Sequence, residues 1–289
     1  MLRGKGAVVG TVAALAVALG AVVAGSVAVV RFVQTDAREA QPQAHRAVYD
    51  LTLDHGKSAG DILGLEGRMV VEWRGGPACD GYTSDQRVVT NSLDSGGHLS
   101  VSDVRLSSWE ALDGNEFRFD RTEYLDGKLS MRESGIARRE GGKVTLSEPD
   151  AEPQTLPGDV LFPSAFNFAL TAAVQKGKST FSRSLFDGTQ SSPTVVTAFI
   201  GKPGEAPRDA RSVKIKNRGD GAPLRGAKAW PIRMSYFDQG DDVQDGTPSF
   251  EMGFHMFPNG VMSKLSLDYD DVVLKGDLTQ IEYFKPGGC

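Results

Sequence analysis

The sequence predicts a mainly β protein: a long antiparallel meander rolled into a barrel-like sheet, with one amphipathic helix near residues 163–176. Three observations carry this reading. Apolar and polar residues alternate with a period of two along the chain, turn dipeptides separate the alternating runs, and a single stretch replaces that period with a helical one.

The alternation is clear where Ala47, Tyr49, Leu51 and Leu53 interleave with Asp50 and Thr52. It recurs in Phe117 and Phe119, in Val213 and Ile215, and in Leu265, Leu267 and Tyr269. Such strands bury one face and wet the other. Gly96-Gly97, Asp126-Gly127, Gly141-Gly142 and Asn259-Gly260 fall between runs and supply the positive φ of tight hairpins. A meander this long has edges to close or cover, which favours a rolled sheet over a flat one.

In the helical stretch, Phe166, Ala169, Leu170, Ala173 and Val174 share one face. Pro163 suits its first turn, Lys176 its last, and Gly177 a left-handed stop beyond it. The helix is expected to pack on the open side or mouth of the sheet. Residues 149–158 and 201–210, rich in Pro, Gly and charge, read as loops.

Residues 1–44 read as an export signal or N-terminal anchor with a short linker. Arg3 and Lys5 precede an uncharged run, 7–30, that Arg31 ends. Ser26-Val27-Ala28 offers a small-x-small cleavage site, and the run is also long enough to span a bilayer if retained. Either way the remainder lies outside the cytoplasm, with membrane contact only through 7–30 if uncleaved. No twin-arginine pair is present, so ordinary unfolded export is the simpler route. The net charge of −5 becomes −7 once residues 1–40 are removed, and no Lys/Arg cluster offsets it, which argues against nucleic acid.

The two cysteines, Cys79 and Cys289, bracket most of the mature chain. In an exported protein such a pair reads as a disulfide, which favours one domain, 45–289, and on the chain-entropy model contributes about 5 kcal/mol. Two buried free thiols or intermolecular pairing are the alternatives.

Candidate chemistry is sparse. Gly56-Lys57-Ser58-Ala59-Gly60 matches the nucleophile elbow of hydrolases, but it lies between strand-like segments rather than between a buried strand and a helix. Its Gly-Lys-Ser and that of Gly177-Lys178-Ser179 lack the leading glycine of a phosphate loop, Leu51 and Ala172 standing there instead. His45, His55, His98 and His255 have no spacing suited to a metal, and the cysteines lack a nearby histidine. Asp241-Asp242 and Asp270-Asp271 fit no calcium-loop pattern and read as turns. No catalytic set, metal site or cofactor is expected. Phe250, Met252, Phe254 and Met256 form an apolar stripe that lines a core or, inside a rolled sheet, a cavity for an apolar ligand.

Four stretches together resemble one known family. They are His45-Arg46-Ala47-Val48-Tyr49-Asp50-Leu51; Glu72-Trp73 followed by Cys79-Asp80-Gly81-Tyr82; Phe186-Asp187-Gly188; and the tail from Leu267 through Asp268-Tyr269 to Cys289. The chain is similar in these to the cell-envelope integrity protein EipB family of alphaproteobacteria. The resemblance implies a periplasmic protein of Gram-negative cells whose single domain is a long sheet wound into a spiral, with an associated helix. It also implies a disulfide, which maps onto Cys79 and Cys289. A role in envelope maintenance, a link to a tetratricopeptide-repeat partner and no established enzymatic activity are further implications. The family pattern carries a histidine shortly after a Phe-Pro pair; Phe166 stands there in this chain. The expected function is therefore non-catalytic support of envelope integrity by binding another envelope component. The alternative is a periplasmic carrier holding a lipid or other apolar ligand inside the sheet.

Overall fold

The computed structural model describes residues 42–216, 224–238 and 246–285. The chain opens with β1 (His45–Leu53), β2 (Ile62–Gly76), β3 (Gly81–Asp94), β4 (Leu99–Ala111), β5 (Glu116–Leu125), β6 (Lys128–Glu140), β7 (Lys143–Ser147) and β8 (Gln154–Leu156). Helix α1 (Pro163–Gln175) follows, then β9 (Thr180–Leu185), β10 (Thr194–Ile200), β11 (Gly204–Glu205), α2 (Arg208–Ser212) and β12 (Lys214–Lys216). The last strands are β13 (Lys228–Asp238), β14 (Phe250–Met256), β15 (Met262–Asp268) and β16 (Val273–Tyr283).

These strands form one sheet in the order β8-β7-β6-β5-β4-β3-β2-β1-β16-β15-β14-β13-β10-β9, with β11 added to β13 and β12 to β16. Most of it is a meander, as the alternation predicts. Ala47, Tyr49, Leu51 and Leu53 of β1 are buried, whereas Thr52 is exposed. The four turn dipeptides sit at the β3–β4, β5–β6, β6–β7 and β14–β15 connections, with positive φ at Gly97, Asp126, Gly127, Gly141, Gly142 and Gly260. Where the chain departs from a meander is β12, which pairs parallel to β16. The stretches 149–158 and 201–210, read as loops, contain β8, β11 and the start of α2; strands of two and three residues are too short to show a period.

The sheet does not close, but its ends approach one another through the segment joining β8 to α1. Leu161 forms a parallel bridge with Leu185 of β9, with Leu161 N–H donating to Ser184 O at 2.8 Å and Phe186 N–H to Leu161 O at 2.9 Å. Two cores result. The larger gathers the inner faces of β1, β10 and β13–β16 around Phe166, Leu170, Ala173 and Val174 of α1. The smaller joins Phe117 and Phe119 of β5 to Ala137, Val144, Leu146, Phe162 and Phe186. Phe117 stacks on Phe162 at 5.2 Å and meets Phe186 edge-on at 6.1 Å, so the chain leaving β9 lies over the inner face of β5–β7. That overlap is what makes the sheet a spiral.

Gly188 locks the overlap. Its φ is +76°, and a Cβ there would lie 2.4 Å from Cγ of Phe119. Next to it, Arg121 donates to Thr189 O at 2.9 Å. Gly127 has a similar φ of +75° but open space around its Cα. Gly188→Ala is therefore expected to destabilise by well over the roughly 1–2 kcal/mol that left-handed strain alone costs, and Gly127→Ala by about that strain only. Urea unfolding of the two variants measures the difference; equal losses would mean that Phe119 is not a barrier.

Candidate functional site

The outer face of β10, β13, β14 and β15 holds a cleft of about 380 Å³. Because side chains alternate across a strand, the neighbours of core residues supply it. Pro231 and Arg233 flank buried Ile232 of β13, while Gly253 and His255 flank buried Phe254 of β14. Phe199 of β10, 58% exposed, forms one wall, and Gly253 leaves the floor without a side chain. Ser266, Asp268 and Lys264 of β15 line the opposite wall, and Lys57 reaches in from the β1–β2 loop.

Lys264 owes its place to a bulge. The β14–β15 register shifts between Gly253 and His255, and Lys264 takes φ +50°, which turns it outward to the rim. Asp209 of α2 holds the bulge from behind: its Oδ2 accepts the N–H of Lys264 at 2.7 Å and of Leu278 at 3.0 Å. It thereby fills the gap where β15 leaves β16 and lets β12 take up pairing with β16 beyond. The Oδ1 of Asp209, the Oγ of Ser263 and the Nδ1 of His255 are buried without a hydrogen-bond partner among the described residues.

Charge in the cleft is unevenly paired. Glu251 accepts from Arg233 Nε at 3.0 Å and Ser235 Oγ at 2.7 Å, and the arginine beside it holds its carboxyl below the usual range. The pKa of His255 is lowered, first by burial and then by Lys264, against an opposing pull from Asp209. Lys57 and Lys264 make no ion pair among the described residues, against a single further carboxylate, Asp268. In an acidic chain the cleft thus carries a local excess of positive charge.

A second feature is the junction of β4 with α1. Glu110 is 4% exposed and accepts Ser164 N–H at 2.7 Å and Ala165 N–H at 3.1 Å, taking up the free donors of the first helical turn. Trp73 of β2 and Tyr82 of β3 stack at 5.3 Å, and Phe168 of α1 meets Tyr82 at 4.9 Å. Arg139 of β6 donates to Val160 O at 2.7 Å and to Gly158 O, fastening the approach to the helix. Burial pushes the Glu110 carboxyl up to about 7, outweighing the two backbone donors.

Of the residues singled out in the sequence, His255 and Lys57 line the cleft; the others fall outside both features or beneath them. In the Phe/Met stripe, Phe254 and Met256 are buried in the larger core, with Phe250 and Met252 packed against it. Ser58 is tied to β16: its Oγ donates to Val273 O at 3.2 Å and accepts Val273 N–H at 3.0 Å, which makes it a staple rather than a nucleophile. Phe166 is buried and meets Phe181 at 5.3 Å. Cys79 lies between β2 and β3 and is not a free thiol; Cys289 lies outside the described residues, as do Asp241-Asp242. Asp270-Asp271 form the β15–β16 turn. Among the described residues no three His, Cys, Asp or Glu gather as a metal site, and no helix is long and apolar enough to cross a membrane. Sequence reading missed Glu110 and Asp209, which look like any other strand or loop carboxylate.

With this geometry in view, the likenesses to known proteins are specific. The EipB-like family model matches residues 36–285. The chain belongs to the EipB-like family. It is 34% identical over 253 residues to the cell envelope integrity protein EipB of Brucella abortus, covering 85% of this chain and 87% of that protein. The crystal structure of a β-barrel-like protein from Brucella abortus superposes with a TM-score of 0.76 at 30% identity, covering 85% of this chain and 99% of that one. The resemblance seen in the four sequence stretches and the rolled β architecture are thus both established. An EipB-like chain is placed by these relatives with a protein named for envelope integrity.

The Glu110 junction sets a pH dependence. A carboxyl titrating near 7 when folded and near its ordinary 4.5 when unfolded binds more protons in the folded state between those values. Its contribution is therefore full below about pH 4.5 and is lost as pH rises to about 7, a span on the order of 3 kcal/mol. Glu110→Gln is expected to flatten that segment of the stability profile, measured by urea unfolding from pH 4 to pH 8. An unchanged slope in the variant would show that another group is responsible.

Proposed function

We propose that this EipB-like chain is a non-catalytic periplasmic protein that supports cell-envelope integrity by binding another envelope component. The observation that carries the reading is membership of the EipB-like family, over nearly the whole chain, with a relative named for that role. Ser58, the serine of the nucleophile-elbow match, is a structural staple to β16. The chain is read as a single exported domain, 45–289, preceded by an export signal and short linker within 1–44, the signal being cleaved, and with Cys79 paired to Cys289. A tetratricopeptide-repeat protein of the periplasm is the partner the family resemblance suggests.

The carrier alternative rests on the Phe/Met stripe. Phe254 and Met256 are spent on the packed core, so the stripe gives that alternative no support. The outer cleft is the more suitable place for contact with another molecule.

A strain lacking this protein is expected to become sensitive to detergent and to cell-wall antibiotics, with resistance restored by the wild-type chain. Plating on graded deoxycholate and ampicillin measures it, and unchanged sensitivity would count against the envelope role. For the disulfide, Cys79→Ser or Cys289→Ser is expected to lower stability by up to about 5 kcal/mol on the chain-entropy model. Thermal melts with and without reductant measure this, and coincident melts would remove the bridge from the account.

A further inference from the structure

We infer that the outer cleft of β10, β13, β14 and β15 binds an anionic saccharide. This deepens the envelope-binding reading and rests on it for the biological source of the ligand. Three features of the cleft point to this class.

The first is the platform. Phe199 stands 58% exposed at the cleft wall beside Pro231, and Gly253 leaves the floor bare. A large aromatic held this open on a rigid strand offers a flat apolar face, and the C–H face of a sugar ring is its natural complement. The core has no need of Phe199, since its neighbours Ala198 and Ile200 are the residues of β10 that point inward.

The second is charge. Arg233 is satisfied by Glu251, but Lys57 and Lys264 reach the cleft from opposite elements without a salt bridge among the described residues, Lys57 acting on Asp54 only through space. The bulge at Lys264, held by the half-buried Asp209, places that amine at the rim. Two ammonium groups held outside any salt bridge and flanking an apolar face select an anion over a neutral sugar.

The third is the polar lining. Ser266, Asp268 and the ring of His255 offer donors and acceptors suited to hydroxyl groups. The volume of about 380 Å³ lies in the range of small-ligand sites and is too small for a folded partner's domain.

The test uses the whole mature chain. Isothermal titration is run with tri-galacturonate, which carries a carboxylate on each ring, and with its methyl ester, which has the same rings without charge. The acid is expected to bind in the micromolar to millimolar range, more weakly as salt rises, and the ester at least tenfold more weakly. Phe199→Ala is expected to weaken binding of the acid by about tenfold, since one ring face of about 60 Å² of apolar contact is worth that factor. Lys57→Ala with Lys264→Ala is expected to bring the acid down to the affinity of the ester. Thermal melts of the variants confirm that these exposed positions leave folding intact. Equal binding of acid and ester, no binding of either, or Phe199→Ala binding like the wild type would overturn the proposal. Its failure is separable from failure of the envelope role: a deletion strain still sensitised to detergent, and restored by the Phe199→Ala chain, would keep that role and discard this cleft. Displacement of the trisaccharide by muropeptides rather than by deacylated lipopolysaccharide would assign the source to the cell wall, and the reverse to the outer membrane.

Discussion

The structure depends on a carboxylate buried at the start of a helix. Glu110 gives both its oxygens to the first turn of α1 and so ties β4 directly to the helix. The arrangement is costly in solvation terms, as the raised pKa of Glu110 records. Part of the cost is offset by two backbone donors of the first helical turn and by the positive end of the helix dipole. Because α1 contributes to the larger core and its lead-in residue Phe162 to the smaller, this junction sets the position of both.

From that anchor the rest of the spiral follows. A sheet with one apolar face must cover it, and a meander of this length covers it by turning over on itself. The overlap of Phe186 and Gly188 on β5 is the point at which the sheet meets its own inner face, short of closing by strand pairing. Stopping short has a structural consequence: the approach of the two ends is bridged by residues 158–162, held by Arg139, instead of by a continuous ladder.

The same alternation that builds the core also decides where recognition can happen. Inward residues of β10 and β13–β15 are committed to packing, so any chemistry on these strands lies on their outer face. There, a glycine, an exposed phenylalanine and a bulge interrupt what would otherwise be an ordinary solvated surface. Asp209 shows how closely support and surface are linked. Half-buried, it accepts backbone N–H groups from both β15 and β16, and in doing so it presents Lys264 to solvent.

The sequence by itself determined the local features. Strands, hairpin turns and the limits of α1 were legible because each is written in neighbouring residues: the two-residue period, Asp126-Gly127 and its counterparts, and Pro163 to Gly177. The family was legible for a related reason, since its short motifs survive in order along the chain. Tertiary structure alone decided the roles of Glu110, which meets a helix 54 residues away, and of Asp209, which meets strands 55 and 69 residues away. It also assigned Phe254 to the core and Phe199 to the cleft, though both are phenylalanines in alternating strands. Alternation states that a strand has two faces, but which of them is covered depends on what the folded chain brings against it, and that is a long-range fact.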